Sequence, residues 1–128
     1  MELGVGTAMK SLEHTEQVNL MQWWALACRG FGIPEALLFA IPNGGQRNII
    51  VASKLKAEGV RAGVPDLFLA VARHDGHGLF IEMKKAKGGQ TSDKQDAMMA
   101  ALDEQGYYTI ACHGWVEAKQ AIEVYLRG

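Results

Sequence analysis

Two short apolar segments on either side of a glycine-containing tip constrain the fold more than any other part of the sequence. Residues 66–72 (DLFLAVA) and 79–84 (LFIEMK) have the length and composition of strands, and residues 74–78 (HDGHG) have the composition of a hairpin turn. Strands that are apolar on both faces are typical of a sheet covered by helices on both sides. The pair therefore predicts an α/β domain.

The rest of the chain alternates helical and strand patterns around this hairpin. Helices are predicted over residues 13–28, from an Asn48 cap to about residue 58, from Thr91 or Ser92 to about residue 105, and over residues 115–126, with further strands at 37–41 and 107–112. The order α-β-α-β-β-α-β-α predicts a four-stranded mixed sheet flanked by helices. No linker or repeat divides the 128 residues, which predicts a single domain spanning residues 1–128.

Three charged residues stand at the ends of the two hairpin strands. Glu82 and Lys84 share a face because residues two apart in a strand point to the same side. An odd loop of residues 74–76, with Gly76 left-handed, pairs Asp66 with Lys84 and puts all three on one face. A two-residue loop would turn Asp66 to the opposite face. The turn composition favours the odd loop.

Two carboxylates beside a lysine suit a site for a hard cation. Mg²⁺ prefers oxygen ligands and is usually held by one or two carboxylates together with phosphate and water. A nearby lysine can orient or deprotonate a water molecule that attacks a phosphodiester. The alternative is a surface ion pair at the end of a strand, with Pro65-Asp66 as ordinary turn chemistry. Their joint placement on adjacent strands favours the metal site.

With these motifs the sequence resembles the VRR-NUC (virus-type replication-repair nuclease) branch of the PD-(D/E)xK superfamily. The bipartite motif stands here as Val64-Pro65-Asp66 and Ile81-Glu82-Met83-Lys84. Asn43-Gly44-Gly45, Arg61-Ala62-Gly63 and Gln95 occur in the family's order. The resemblance runs from the helix that carries Glu16 to the strand at Tyr107. It implies a restriction-endonuclease-like core of the stand-alone phage or bacterial type.

The resemblance also implies roles for individual residues. Asp66 and Glu82 match the metal ligands, with the Met83 backbone carbonyl as a third, and Lys84 matches the lysine that positions the attacking water. Glu16 is similar to the first-helix glutamate that completes the acidic site directly or through water, and Gln95 is similar to the accessory residue that lines it. The implied reaction is Mg²⁺- or Mn²⁺-dependent endonucleolytic hydrolysis of DNA.

Two of these residues have a structural interpretation as well. Gln95 stands three residues after Ser92, which is the spacing of a capping box, and it could serve only to start its helix. Glu16 could be a first-turn glutamate favoured by the helix dipole. It lies on the same helical stripe as Trp23, however, and that stripe is predicted to point inward.

Charge is distributed in a way that the net value of −1 conceals. Residues 43–94 carry nine basic and five acidic side chains, a local charge of +4 that DNA would meet within about one Debye length of 8–10 Å. The residues predicted to contact DNA are Asn43, Gly44, Arg47, Lys54, Arg61, Lys85 and Lys87. The segment at residues 43–47 could instead be simply a turn.

The resemblance makes branched DNA, including Holliday-junction-like substrates, the expected partner. One active site makes one cut, so cutting both strands of a junction predicts a C2 homodimer. A flap or restriction-like nuclease and a non-catalytic DNA-binding or assembly module are the alternatives. With no signal peptide or membrane span in view, and with Cys28 and Cys112 interpreted as core residues, the chain is expected in the cytoplasm of a bacterial cell, with a phage gene as one origin.

Overall fold

The structure, a computed structural model, describes residues 5–42 and 49–127, with side chains described from Leu12 onward. Its helices and strands are α1 (Val5–Ala27), β1 (Leu38–Ala40), α2 (Ile49–Ala57), β2 (Leu67–Leu69), β3 (Leu79–Lys84), α3 (Asp93–Glu104), β4 (Tyr108–His113) and α4 (Trp115–Arg127). Two short 3-10 helices, Cys28–Phe31 and Glu35–Leu37, precede β1. The predicted element order is confirmed. Within the described ranges, no helix combines the length and the hydrophobicity of a membrane span.

The four strands form one mixed sheet in the order β1-β2-β3-β4. β1 pairs antiparallel with β2, β2 antiparallel with β3, and β3 parallel with β4. The parallel pair requires a crossover, and α3 supplies it between β3 and β4. The predicted four-stranded mixed sheet is therefore confirmed.

The sheet has two chemically different faces. Leu67, Ile81 and Met83 point to one face and are buried with Trp24 of α1 and Ile122 of α4 in the main core. Alternate residues point to the other face, where the rings of Phe68 and Phe80 stack with centroids 4.2 Å apart. On that side α3 lies beside β4, and Thr109 Oγ1 of β4 donates a 2.9 Å hydrogen bond to Asp103 Oδ1 of α3. Helices thus cover both sides of the sheet, and Glu82 and Lys84 lie on the α3 side.

Both cysteines belong to the core, as the sequence predicts. Cys28 and Cys112 are buried and free. Burial raises the pKa of the Cys112 thiol to about 12, with the Glu117 carboxylate as a smaller cause, so this thiol is not a nucleophile near neutral pH. Trp24 is buried as well, and its indole stacks on Phe31.

The hairpin turn differs from the predicted odd loop. Arg73 and Gly76 exchange two backbone hydrogen bonds, 3.1 Å and 2.8 Å long, around the two central residues His74 and Asp75. The left-handed residue is His74, with φ 55, and not Gly76. Gly76 is required for a different reason, since a Cβ there would lie 2.4 Å from the ring of Tyr108. The turn therefore has two residues where three were predicted.

Asp66 nevertheless lies on the predicted face of the sheet. The shorter turn alone would reverse its side, and one extra residue between β2 and the turn reverses it back. Three residues separate Leu69 from Arg73, while two separate Gly76 from Leu79. The longer side is held away from the ladder, because the Val71 carbonyl accepts a 2.6 Å hydrogen bond from the Tyr125 hydroxyl. This contact also explains why β2 ends at Leu69 and not at residue 72.

The register is two residues away from the predicted one. Leu67 pairs with Ile81 and Leu69 with Leu79, so continuing the ladder puts Asp66 opposite Glu82. The prediction that Asp66 faces Lys84 is wrong in register, although right in face. The consequence is chemical, since the two carboxylates become direct neighbours across the strands and the lysine lies beyond them.

Candidate active site

Asp66 stands where β2 stops pairing with β3. Its backbone carbonyl accepts a 2.7 Å hydrogen bond from the Ile41 amide, which extends the contact between β1 and β2 by one residue. Its side chain turns the other way, and Oδ2 accepts a 2.7 Å hydrogen bond from the Met83 amide on β3. The aspartate is thus fixed from both neighbouring strands.

The same arrangement directs the Met83 carbonyl toward the aspartate. The N–H and C=O of one strand residue point to the same neighbouring strand, and the Met83 N–H points to Asp66. Continued by the same register, the residue opposite Met83 is Pro65, which has no N–H to donate. The Met83 carbonyl therefore meets no ladder donor from that position, which leaves it available as an oxygen ligand.

Gln95 links the second carboxylate to the lysine. Gln95 Nε2 donates to Glu82 Oε2 at 3.0 Å, and Lys84 Nζ donates to Gln95 Oε1 at 3.1 Å. Lys84 Nζ also lies 3.5 Å from Glu82 Oε2. Both charged side chains are buried, with Glu82 3% and Lys84 8% exposed. The structure therefore brings Asp66, Glu82, Lys84 and Gln95 together, as the sequence predicts.

Gln95 serves the start of α3 at the same time. The Ser92 hydroxyl accepts from the Gln95 amide at 3.2 Å, and the Ser92 amide donates to Gln95 Oε1 at 2.9 Å, which completes a capping box. The capping-box interpretation of Gln95 is therefore confirmed, and its role at the active site stays a prediction that its contacts to Glu82 and Lys84 support. One amide oxygen accepts from the helix cap and from the lysine, so the first turn of α3 fixes the polar group beside the carboxylates.

Burial makes this carboxylate pair electrostatically unfavourable on its own. Desolvation, and then the neighbouring Asp66 charge, raise the pKa of Glu82 to about 8, despite the opposing effect of Lys84. Desolvation also raises the pKa of Asp66, against the Met83 hydrogen bond. Glu82 Oε1 is buried and has no hydrogen-bond partner among the described residues. Two crowded carboxylates and an orphaned oxygen are the donor set that a divalent cation would satisfy.

Glu16 does not join this pair. Its Oε1 accepts a 2.9 Å hydrogen bond from the amide of Trp115, the first residue of α4. The preceding residue, Gly114, donates its amide to the Lys84 carbonyl at 3.0 Å, so Glu16 supports the corner beside the end of β3. In the part of the chain that the structure describes, no three His, Cys, Asp or Glu side chains are grouped to hold a metal. A direct ligand role for Glu16 is thus not what this geometry shows.

Gly63 is a positioning residue whose role the sequence analysis did not identify. It has φ +88, and a Cβ at this position would lie 2.5 Å from the Lys94 carbonyl oxygen and 3.1 Å from the Gln95 amide nitrogen. The segment that leads to Asp66 therefore packs directly on the first turn of α3. Glycine in Arg61-Ala62-Gly63 was the available signal, because only glycine permits such a close approach at positive φ.

Four of the residues predicted to contact DNA fall in the part of the chain that the structure describes, and each reaches solvent at least in part. Lys54, Arg61 and Lys87 are exposed and Lys85 is half-buried, and none has an ion-pair partner within residues 12–42 and 49–127. Asn43, Gly44 and Arg47 lie outside the described residues. The four basic side chains remain predicted contacts to phosphate.

Comparisons with known proteins agree with this geometry. A family model described as the VRR-NUC domain matches residues 10–115. A solved structure described as a VRR-NUC domain protein is similar to the chain with a TM-score of 0.74 and 27% sequence identity, over 90% of this chain and 88% of the other. No protein with a curated description matches the sequence significantly.

Proposed function

The chain belongs to the VRR-NUC family of nuclease domains, and from this premise we propose that it is a Mg²⁺- or Mn²⁺-dependent endonuclease that cuts branched DNA. The observation that carries the proposal is the pair of half-buried Asp66 and buried Glu82, with raised pKa values and an unpartnered Glu82 Oε1. Such a pair is costly in a protein that has no use for a cation, because each carboxylate raises the cost of ionising the other.

Three oxygen ligands for the cation are proposed from this chain. They are the Asp66 and Glu82 carboxylates and the Met83 carbonyl, which is directed to the same edge by the Asp66 hydrogen bond to the Met83 amide. A bound cation would offset the charge that develops on the phosphoryl oxygens during hydrolysis. Glu16 is proposed to act on this site through the α4 corner, with a water-mediated contact as the alternative to be tested.

Lys84 is proposed to hold the attacking water. Its ammonium lies between the Glu82 carboxylate and the Gln95 amide, so it is directed toward the carboxylate pair and cannot swing freely into solvent. Gln95 holds both groups at 3.0–3.1 Å and is the positioning residue of the set. A lysine fixed in this way can orient the oxygen of a water molecule for in-line attack and offset charge that appears on it.

Branched DNA as the substrate and a homodimer as the active form are the next parts of the proposal. A domain of 128 residues with one carboxylate pair makes one cut, and a two-fold dimer would place two sites symmetrically on a junction. The exposed Lys54, Arg61 and Lys87, together with the half-buried Lys85, would contact phosphates without reading bases, which favours recognition of DNA shape.

The decisive experiment compares cleavage of a four-way junction, a flap and a plain duplex of matched sequence, with Mg²⁺, with Mn²⁺ and with EDTA. We expect junction cleavage with either metal and none with EDTA. Light scattering on the same preparation should give twice the 13.9 kDa chain mass. Preferential flap or duplex cleavage would replace the junction assignment, and a monomeric mass would remove the dimer.

Two variants test the chemistry separately from binding. Asp66→Asn and Lys84→Met should each lower junction cleavage by about 100-fold or more, while junction binding in EDTA stays within a few-fold of the wild type. Arg73→Lys serves as a matched control, since Arg73 lies at the hairpin tip of the same strand pair. Wild-type cleavage by both active-site variants would contradict the assigned site.

A further inference from the structure

Helix α2 exposes its apolar side chains instead of burying them. Ile49 is 83% exposed and Ile50 is 70% exposed, and α2 contains no buried residue. Single exposed aliphatic residues are common on protein surfaces, but two adjacent isoleucines at the start of one helix form a projecting apolar group. The remaining question is what this group meets.

The chain segment that contains α2 begins and ends at the catalytic edge of the sheet. Ile41, before α2, donates its amide to the Asp66 carbonyl at 2.7 Å, and the segment returns to the sheet at Asp66 itself. Gly63, shortly before that return, packs on the Lys94 carbonyl at the start of α3. Ile49 is eight residues from Ile41, which limits their separation to about 29 Å even for an extended chain. Both ends of the segment that carries the apolar group are thus fixed beside Asp66.

The charge of α2 distinguishes it from the other exposed apolar positions. Lys54 and Lys56 are exposed, the helix contains no acidic residue, and neither lysine has an ion pair in the described part of the chain. Val124 on α4 is equally exposed at 70%, but its neighbour Glu123 is an acidic residue paired with Lys119 and Arg127. Within the described residues, α2 thus joins exposed isoleucines to lysines that have no ion pair, and such positive charge complements the phosphates of nucleic acid.

We propose that Ile49 and Ile50 form an apolar wedge that inserts between unstacked bases at a DNA branch point, while Lys54 and Lys56 contact the flanking phosphates. Insertion of an aliphatic side chain between two bases requires them to unstack. The free-energy cost of unstacking is smallest where stacking is already interrupted, as at a junction. The wedge thus favours branched DNA over continuous duplex. This inference rests on the proposed nuclease function and names the feature of the substrate that α2 recognises.

The test measures base unstacking directly. 2-Aminopurine is placed at the branch point of a four-way junction, and its fluorescence is followed on titration with Asp66→Asn protein in EDTA, so that no cleavage occurs. The double variant Ile49→Gln/Ile50→Gln keeps side-chain size and removes apolarity, whereas Ile49→Leu/Ile50→Leu keeps both. Leu26→Gln, at an 86% exposed position on α1, is the matched control.

The glutamine double variant should show no fluorescence increase. Its ratio of junction affinity to duplex affinity should fall at least about ten-fold, because the apolar area of two aliphatic side chains is no longer removed from water on binding. The leucine variant and the Leu26→Gln control should behave like the parent protein. In the active protein, the glutamine double variant should lower the junction-to-duplex ratio of cleavage, whereas Leu26→Gln should leave this ratio at the wild-type value.

Three results would overturn the wedge. One is an unchanged fluorescence increase in the glutamine variant, and another is an equal loss in Leu26→Gln. The third is a change of oligomeric mass in the glutamine variant, which would assign the isoleucines to a contact between copies. If the wedge proposal fails but the wild type cleaves the junction, the proposed nuclease function still stands. If the wild type cuts no DNA at all, the nuclease proposal fails, and the fluorescence titration still decides whether α2 inserts into a branch.

Discussion

The Met83 amide donates a 2.7 Å hydrogen bond to Asp66 Oδ2, so a side chain takes the place of the next backbone acceptor in the ladder between β2 and β3. The bond orients Asp66 with no cation present. The Met83 carbonyl lies opposite Pro65, which has no N–H to donate to it. The sheet therefore already orients the oxygens that we propose as ligands, which would reduce the cost of binding a cation.

The raised pKa of Glu82 predicts a specific pH dependence of stability in the metal-free protein. The folded-state pKa is about 8 against an ordinary value of 4.5. Folding therefore favours the protonated form, and this stability is fully present below about pH 4.5 and is lost as the pH rises toward 8. The slope is at most about 1.4 kcal/mol per pH unit. Urea unfolding in EDTA should show the decline in the wild type and a flatter profile in Glu82→Gln. Parallel profiles would contradict the assignment.

Metal binding should release a proton. Near pH 7 the metal-free Glu82 carboxyl is protonated, because its pKa is about 8, whereas a cation needs the carboxylate. Titration calorimetry with Mn²⁺ in buffers of different ionisation enthalpy should give a release that approaches one proton at pH 6.5–7 and falls toward zero above pH 9. Glu82→Gln should abolish both the release and the Mn²⁺-dependent rise in melting temperature. Binding without proton release at pH 7 would argue against Glu82 as a ligand.

The two roles of Gln95 can be separated by comparing it with Ser92. Ser92→Ala removes the helix cap, which should cost about 1 kcal/mol of unfolding free energy and leave junction cleavage near the wild-type rate at 25 °C. Gln95→Leu removes the contacts to Glu82 and Lys84 as well, and should lower cleavage by at least about ten-fold. Equal activity losses in the two variants would mean that Gln95 acts only through the helix.

Glu16 offers a clear choice between a structural and a metal-directed role. Its contact is the Trp115 amide at 2.9 Å, and a glutamine oxygen can accept the same hydrogen bond. We expect Glu16→Gln to keep most of the cleavage rate and Mn²⁺ affinity, and Glu16→Ala to lose about 1 kcal/mol of stability together with activity. A Glu16→Gln variant that folds normally but binds Mn²⁺ at least ten-fold more weakly would restore the metal-directed role.

Gly63 should be sensitive to a single methyl group, and Gly59 supplies its control. Both have positive φ, +88 and +104, but a Cβ at Gly63 meets the Lys94 carbonyl at 2.5 Å, while a Cβ at Gly59 meets nothing within 4 Å. Gly59→Ala should lose only the free energy of the backbone strain, about 1–2 kcal/mol. Gly63→Ala should cost about 1–3 kcal/mol more and displace α3, with a fall in cleavage that Gly59→Ala does not show. Melting curves and cleavage rates on both variants test this.

The residues that could be predicted from the sequence are those that a pattern within a few neighbouring residues identifies. Charged Glu82 and Lys84 in an apolar strand, and Gln95 three residues after Ser92, could be recognised from spacing alone. The turn and the register could not, because distant contacts determine them. The Tyr125 hydroxyl bonds to Val71 and Arg73 Nε bonds to the Leu126 carbonyl, and both bonds cross more than 50 residues of sequence. The same limit applies to Glu16, whose partner Trp115 lies 99 residues away.

The extra residue that follows Leu69 has a consequence for how this hairpin can vary among relatives. A two-residue turn and one unpaired residue together keep Asp66 on the face of Glu82. Deleting either one alone would rotate the aspartate to the aliphatic side of the sheet. Length changes at this tip should therefore occur in pairs, with a shortened strand matched by an altered turn. A single-residue insertion there would turn Leu67 and Leu69 out of the core together with Asp66 away from Glu82, so it should disrupt both the core and the carboxylate pair.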